Sequence, residues 1–172
     1  RPARISHRVA ACPRAINVTE TIPLLDRTRH HADRAAIISG DGDCTYQELL
    51  EKSHQVASYL LSSAPDLAEA RVTFMVGPGM NHVATQWGIW RAGGVAVPLG
   101  LMHPLPELQY TVEDSGAIAI VADPQLLEKV RPLAESGDLP LLSSQELMLH
   151  EPAALPVLEP DRHAMILYTS GT

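Results

Sequence analysis

The chain has 172 residues, of which 45% are apolar and only 4% are aromatic, and its formal net charge is -7. This length suits one ordinary globular domain, and the aliphatic composition favours a parallel sheet covered by helices over a small β-sandwich. The acidic balance argues against nucleic-acid binding, and no apolar run reaches the ~20 residues that span a bilayer.

The amino-terminal segment differs in charge from the rest of the chain. Residues 1–34 hold seven of the 13 basic residues but only three of the 20 acidic ones, and residues 1–16 contain no acid. A mitochondrial transit segment and an ordinary disordered leader share this composition. We expect residues 1–21 to form a disordered or extended basic leader.

Cys12 and Cys44 lack CxxC spacing, which suits a reducing compartment. We expect the cytoplasm, with the mitochondrial matrix as the alternative.

The next residues alternate short apolar runs with amphipathic stretches, which is the pattern of an α/β fold. A weak helix over 22–31 is followed by a strand over 35–39 and a tight hairpin turn over 40–43. Thr45 and Glu48 have the spacing of a capping box. This pair predicts the start of an amphipathic helix.

A strand over 72–76 and the turn Gly77–Gly79 lead into the next predicted helix, which we expect Asn81 to cap. Trp87 and Trp90 lie three positions apart on it. Such a pair is more typical of a core than of a ligand-stacking site. The glycine turn lacks the third glycine and the acidic residue of a dinucleotide-binding fingerprint.

The same alternation continues with a strand over 95–99 and a short helix that ends at Ser115 and Gly116. Glu107, Glu113 and Asp114 are predicted to lie on the solvated face of this helix, and we assign them no acid/base role. A glycine directly after a helix is typical of its carboxyl end.

Further strands are predicted over 117–122 and 139–142. Between them lies a helix that we expect Asp123 to cap, with Pro124 in its first turn. The proline-rich stretch 146–160 then predicts an extended surface connection.

The last predicted strand, 164–168, runs directly into a cluster of hydroxyl residues and glycine, Thr169–Thr172. Glycine permits close backbone approach, and hydroxyl and amide groups donate hydrogen bonds, so this cluster is a candidate phosphate cradle. It lacks the lysine and the first glycine of a Walker A loop. On the pattern alone, an ordinary loop is the competing interpretation.

Four stretches of the chain together resemble one known family. Residues 165–172 resemble the opening of the signature loop of the adenylate-forming (AMP-binding) superfamily, which includes acyl-CoA synthetases. Residues 33–49, 91–99 and 104–116 agree with the same family in order and spacing. The resemblance implies that residues 22–172 form the first part of the large amino-terminal domain, a layered sheet with flanking helices. The resemblance ends inside the family's phosphate-binding loop.

A few residues are most similar to the malonyl-CoA synthetase branch of the family. These are Gln86 and Trp87, Trp90, the run from Gly93 to Leu99, and His103 with Pro104.

The resemblance also implies an activity, that of an acid–thiol ligase. Family members use MgATP to convert a carboxylic acid into an acyl-adenylate and then transfer the acyl group to coenzyme A. Thr169, Ser170, Gly171 and Thr172 carry over as donors to the ATP phosphates, with no catalytic residue and no metal ligand assigned. ATP, Mg²⁺ and coenzyme A are the cofactors that it implies for the full-length enzyme. Malonate and methylmalonate are candidate substrates.

We further expect the chain to be a fragment that is inactive without the remainder of the same polypeptide, because the loop's lysine and the family's carboxy-terminal domain are absent. The alternatives are a truncated regulatory or binding module that docks on the missing half of the fold, and an unrelated flavodoxin-like domain. No strand order is predicted.

Overall fold

The computed structural model describes residues 22–39 and 42–169; the leader predicted over 1–21 lies outside them. In chain order the elements are α1 (Pro23–Arg29), β1 (Ala35–Ser39), β2 (Gly42–Thr45), α2 (Tyr46–Leu60), β3 (Arg71–Met75), α3 (Met80–Arg91), β4 (Val95–Pro98), α4 (Leu105–Ser115), β5 (Ala119–Ala122), α5 (Leu127–Gly137), β6 (Leu141–Ser143) and α6 (Ser144–Leu147). Within these residues no helix is both long and apolar enough to cross a membrane.

Four of the strands form a parallel sheet in the order β4-β3-β5-β6. Thr73 of β3 pairs with Val97 on one side and with Ile120 on the other. The chain passes from β3 to β4 and then back across β3 to β5, so the carboxyl ends of β3 and β5 flank the point where the strand order reverses. The predicted α/β fold class is confirmed.

Helices cover both faces of this sheet. Along β3, Val72 and Phe74 point into the core that α2 and α3 cover, whereas Met75 points into the core that α4 and α5 cover. This alternation follows from the two-residue period of a strand. Burial on both faces explains why the strands are apolar throughout.

The helices α2 and α3 pack very closely. A Cβ atom on Gly88 of α3 would overlap the side chain of Val56 on α2. The buried guanidinium of Arg91 also donates from Nη1 to the Leu50 carbonyl oxygen and to Ser53 Oγ, both at 2.8 Å. These contacts fix the carboxyl end of α3, which leads into Gly93.

The hairpin β1–β2 is antiparallel, and its turn is shorter than predicted. Gly42 and Asp43, predicted within the turn, belong to β2, where Ser39 pairs with Gly42 and Ile38 pairs with Asp43. Gly42 pairs in the ladder with a φ of 124°, a value open mainly to glycine. Gly40 and Asp41 lie outside the described residues.

The capping box at the start of α2 is confirmed. Thr45 N donates to Glu48 Oε2 at 2.8 Å, and Glu48 N donates to Thr45 Oγ1 at 3.2 Å. Each side chain therefore satisfies a backbone N–H that has no partner within the helix.

The predicted cap of α3 is wrong. The helix begins at Met80, and the capping position is held by Gly79, whose φ is 135°. Glycine reaches this backbone conformation without the steric cost that other residues incur. The chain therefore turns into the helix two residues before Asn81.

Asp123 does not cap the following helix with its side chain. Its carboxylate accepts hydrogen bonds from Gly77 N at 2.8 Å and from Ser144 Oγ at 2.7 Å. A short 3-10 turn follows, and α5 itself begins at Leu127. Asp123 is buried and joins the carboxyl ends of β3, β5 and β6, contacts that no local pattern encodes.

The strands β5 and β6 begin two residues later than predicted, for one shared reason. Ala117 N donates to the Val112 carbonyl oxygen at 3.2 Å, and Leu139 N donates to the Ala134 carbonyl oxygen at 2.9 Å. Each of these is the 6→1 hydrogen bond of a Schellman motif at the end of a helix. The first residues of each predicted strand therefore complete the preceding helix.

The extended connection predicted from residue 146 begins later. Glu146 lies in α6, and Leu147 is buried in the core that α2 and α3 cover. Burial of this leucine favours one more helical turn over an extended surface path. Residues 151–159 have no regular secondary structure.

Candidate phosphate-binding site

Residues 163–168, the edge segment, precede the hydroxyl cluster and lie at the edge of the sheet, parallel to β4. Ala96 N donates to the Ala164 carbonyl oxygen at 2.9 Å, and Ile166 N donates to the Ala96 carbonyl oxygen at 3.0 Å. The strand predicted over 164–168 is thus reduced to a single bridge between Met165 and Ala96. The next residue of β4 that faces this edge is Pro98, which has no N–H and cannot donate the next bond of the ladder.

Of the four predicted phosphate donors, the structure describes one. Thr169 is exposed, follows the edge segment directly, and makes no hydrogen bond to another described residue. Ser170, Gly171 and Thr172 lie outside the described residues.

A bidentate ion pair holds the residues before the edge segment. Arg162 Nη1 donates to Asp66 Oδ1 at 2.8 Å, and Arg162 Nη2 lies 2.7 Å from Asp66 Oδ2. Both side chains are half-buried. A bidentate ion pair that is partly shielded from water stabilises the fold more than a freely exposed pair does. The hydrogen bonds from Arg162 lower the pKa of the Asp66 carboxyl.

The ion pair lies directly on Gly93. The φ of Gly93 is 79°, and a Cβ atom there would overlap the Asp66 carboxylate and lie 2.9 Å from Arg162 Nη1. Leu67 N and Glu69 N also donate to the carbonyl oxygens of Ala92 and Gly93, at 2.9 and 2.8 Å. A glycine at this position is therefore required both by the backbone conformation and by the space that the ion pair occupies.

Two more contacts fix the start of the edge segment. Glu69 Oε1 accepts a hydrogen bond from His163 N at 2.7 Å and lies 3.0 Å from His163 Nδ1. These bonds lower the pKa of the Glu69 carboxyl. Trp90 Nε1 donates to the Ala164 carbonyl oxygen at 2.6 Å.

The two tryptophans have different environments. Trp87 is buried in the core, as predicted, with 6% of its surface exposed. Trp90 is half-buried and lines a cavity of about 170 Å³ beside Gly93, Arg162 and Ala164. Trp90 thus supports the edge segment as well as packing against the core.

At the other end of the segment, Tyr168 contacts helix α4. Its hydroxyl donates to Asp114 Oδ2 at 2.6 Å, and its ring meets the Tyr110 ring edge-on at 6.2 Å. Burial, followed by the hydrogen bond to Asp114, raises the pKa of Tyr168 to about 12. Asp114 is exposed, as predicted for the solvated face, yet its carboxylate has this structural partner.

Sequence reasoning missed the residues that anchor the segment, namely Asp66, Glu69, Trp90 as a donor, Asp114 as an acceptor, Arg162 and His163. The partners of Arg162 and His163 lie 96 and 94 positions away in the chain. The paired glycines at 93 and 94 were the available signal, because adjacent glycines after a helix mark a place where other groups approach the backbone closely.

The chain matches the family model described as AMP-binding enzyme over residues 24–172. It is 36% identical over 163 residues to the mitochondrial malonate–CoA ligase of Mus musculus, covering 88% of this chain and 28% of that protein. It is 34% identical over 142 residues to gramicidin S synthase 2 of Brevibacillus brevis, covering 81% of this chain and 3% of that protein. The chain therefore spans about 28% of the length of the malonate–CoA ligase.

The fold agrees with this match. The crystal structure of VinN superposes with a TM-score of 0.74 at 25% identity, covering 86% of this chain and 41% of that chain. The family model, the sequence relatives and the fold all point to one group of proteins. This chain belongs to the AMP-binding enzyme family.

Proposed function

We propose that the protein carrying this chain is an AMP-forming acyl-CoA synthetase, and that residues 22–172 are the first part of its AMP-binding domain. The observation that carries the proposal is the edge segment, residues 163–168, with Arg162 before it and Thr169 after it. It is anchored at both ends and presents Thr169 beyond the edge of a parallel sheet. Phosphate groups are commonly bound where a strand ends in glycine and hydroxyl residues.

In this proposal the hydroxyl cluster binds the ATP phosphates. The Thr169 hydroxyl is exposed and bonds to no other described residue, so it is available as a donor. Ser170, Gly171 and Thr172 are assigned the same role from the family resemblance. ATP supplies the adenylyl group that activates the carboxylic acid. Donors held in place before the reaction offset phosphate charge without reorganisation, which is the main contribution of a protein to such a transfer.

We assign no magnesium or coenzyme A ligand to the part of the chain that the structure describes. Within it, no group of three His, Cys, Asp or Glu side chains is arranged to hold a metal ion. We propose that further residues of the complete polypeptide take part in the site, because the chain spans 28% of the malonate–CoA ligase that it matches.

For the acid, we propose a short dicarboxylate, malonate or methylmalonate. The support is the similarity to the malonate–CoA ligase. The test incubates the complete polypeptide with MgATP, coenzyme A and malonate, methylmalonate, succinate or acetate, and measures thioesters by mass spectrometry. We expect malonyl or methylmalonyl thioester to dominate. Preference for acetate would overturn the substrate proposal, and no thioester from a broad panel of acids would overturn the ligase proposal.

For location, we propose the mitochondrial matrix over the cytoplasm. The support is the acid-free composition of residues 1–16 and the mitochondrial location in the name of the murine relative. Imaging the complete protein with a carboxy-terminal fluorescent tag tests this. Diffuse cytosolic signal would contradict it.

A docking module remains the second candidate, favoured by exposed apolar side chains. Met102 is 92% exposed on the loop after β4, and Leu167 is 66% exposed on the edge segment. Apolar surface of this kind is typical of a face that another segment covers. Mixing the chain with the separately expressed remainder distinguishes the candidates: restored thioester formation supports the enzyme, and binding without activity supports the module.

A further inference from the structure

The backbone of the edge segment loses its pairing just before the hydroxyl cluster. Its last ladder bond is the one from Ile166 N to Ala96. Pro98 then faces the segment without an N–H to donate. Among the described residues, none donates or accepts a backbone hydrogen bond with Leu167, Tyr168 or Thr169.

Tyr168 provides the side-chain contact that takes the place of the ladder. Its neighbours Leu167 and Thr169 are exposed, whereas Tyr168 is half-buried against α4. The 2.6 Å bond to Asp114 Oδ2 and the edge-on contact with Tyr110 both reach that helix.

The helix α4 that holds this contact is packed against the core. Leu108 and Val112 are buried in the core between α4, α5 and the sheet. Gly116 ends the helix in a left-handed conformation with a φ of 59°. Asp114 therefore lies on a well-packed turn of helix, which holds a partner more precisely than a loop can.

The other anchors act at the opposite end of the segment. Asp66, Glu69 and Trp90 contact residues 162–164, several residues before Thr169. An extended chain spans about 3.3 Å per residue, so Thr169 lies roughly 10 Å along the chain beyond the ladder bond of Ile166 and farther still beyond those contacts. The Tyr168 contact is the one adjacent to Thr169.

We propose that Tyr168 and Asp114 are positioning residues for adenylation. Their hydrogen bond fixes the base of the phosphate-binding loop on α4 and sets where Thr169 meets the ATP phosphates. This inference rests on the proposed function above. A displacement of about 1 Å in a positioned group reduces the rate strongly, so loss of the contact weakens use of ATP and leaves the acid site unchanged.

The charge states suit this role. With a pKa raised to about 12, Tyr168 keeps its proton at neutral pH and can donate to the Asp114 carboxylate. The raised value means that this contribution is complete below about pH 10 and is lost as the pH rises towards 12.

The test compares Tyr168→Phe, Asp114→Ala and their double variant in the complete polypeptide, by carboxylate-dependent exchange of pyrophosphate into ATP. Glu113→Ala is the matched control, because Glu113 precedes Asp114 on the same helix and its carboxylate bonds only to Gln109 among the described residues. We expect each single variant to raise the KM for ATP about tenfold, which is the factor for loss of one good hydrogen bond. The KM for the acid should stay within about twofold. The double variant should be no worse than either single variant.

A conservative variant separates positioning from folding. In Asp114→Asn the amide oxygen can still accept from Tyr168, so the KM for ATP should return towards the wild-type value. Thermal unfolding of every variant is measured alongside. Unchanged KM for ATP in Tyr168→Phe, or equal changes in kcat and both KM values together with lower stability, would overturn the positioning role. A wild-type protein without any exchange would instead overturn the proposed function itself.

Discussion

Asp66 and Arg162 lie 96 positions apart in the chain and meet over Gly93. Their pair links the loop before β3 to the residues that lead into the hydroxyl cluster. Because two parallel hydrogen bonds fix both distance and orientation, the pair positions the backbone of the edge segment as well as stabilising it.

We predict that Asp66→Asn lowers the free energy of unfolding by roughly 1 kcal/mol, a value kept small because a quarter of the carboxylate side chain is exposed. Urea unfolding at neutral pH measures the difference. Glu51→Gln is the control and should change the stability little, because Glu51 is exposed and its carboxylate accepts only from Gln47 among the described residues.

The loss of stability in Asp66→Asn should depend on pH. Because the pKa of Asp66 is lowered in the folded state, its contribution is present above the unfolded value of about 3.9 and is lost as the pH falls below it. The stability difference between wild type and Asp66→Asn should therefore shrink below about pH 4. A difference that is constant with pH would contradict the assigned ion pair.

Gly93→Ala should destabilise the fold far more than Gly77→Ala. Alanine at position 93 would have to adopt a φ of 79°, and its Cβ atom would overlap the Asp66 carboxylate. We therefore expect the free energy of unfolding to fall by roughly 2–4 kcal/mol. At Gly77 a Cβ atom would lie 3.5 Å from Asp123 Oδ2, an ordinary contact. Thermal unfolding of the two variants measures the contrast, and similar melting temperatures would refute it.

Single residues were predictable where their role is local. The burial of Trp87 and the capping pair Thr45 and Glu48 follow from spacing within one helix. The Asn81 cap failed because a glycine two positions earlier could make the turn. The partner of Asp123 lies in another strand connection, and local sequence carries no signal for it.

At the scale of elements, the capping box should measurably stabilise α2. Thr45→Ala removes the oxygen that accepts from Glu48 N, and a loss of about 1 kcal/mol is expected. Chemical denaturation gives the value. Ser63→Ala, an exposed site without a capping role, serves as control; equal effects of the two variants would argue against the box.

The edge segment should show a sharp change in hydrogen exchange along its length. Ile166 N is bonded to Ala96, so its amide should exchange slowly. The amides of Leu167, Tyr168 and Thr169 have no backbone acceptor among the described residues and should exchange quickly. Exchange measured residue by residue by NMR tests this step. Equal protection from Ile166 to Thr169 would mean that the ladder continues past Pro98.

The alternation of helices and strands was predictable because each element has its own period and its own start and stop residues. The starts of β5 and β6 were misplaced because helix termination extends past the last periodic residue. Strand order was beyond local pattern, since it depends on which strands pair across the whole chain.

At the scale of the molecule, the order of four motifs indicated the family that the comparison confirms. The parallel sheet follows from the same alternation that the sequence displays. The anchors of the edge segment could not be predicted, because Asp66 meets Arg162, and Asp114 meets Tyr168, only after the sheet has formed. Thr169 as a phosphate donor rests on the resemblance and on its exposed position.

We propose that this chain carries the start of the ATP phosphate-binding site of an adenylating enzyme. The most direct test of this claim is carboxylate-dependent exchange of labelled pyrophosphate into ATP by the complete polypeptide, for wild type and Thr169→Ala. We predict exchange in the wild type and a loss of about tenfold or more in the variant, because one phosphate donor is removed. Equal exchange in both proteins, or none with any carboxylic acid, would contradict the claim.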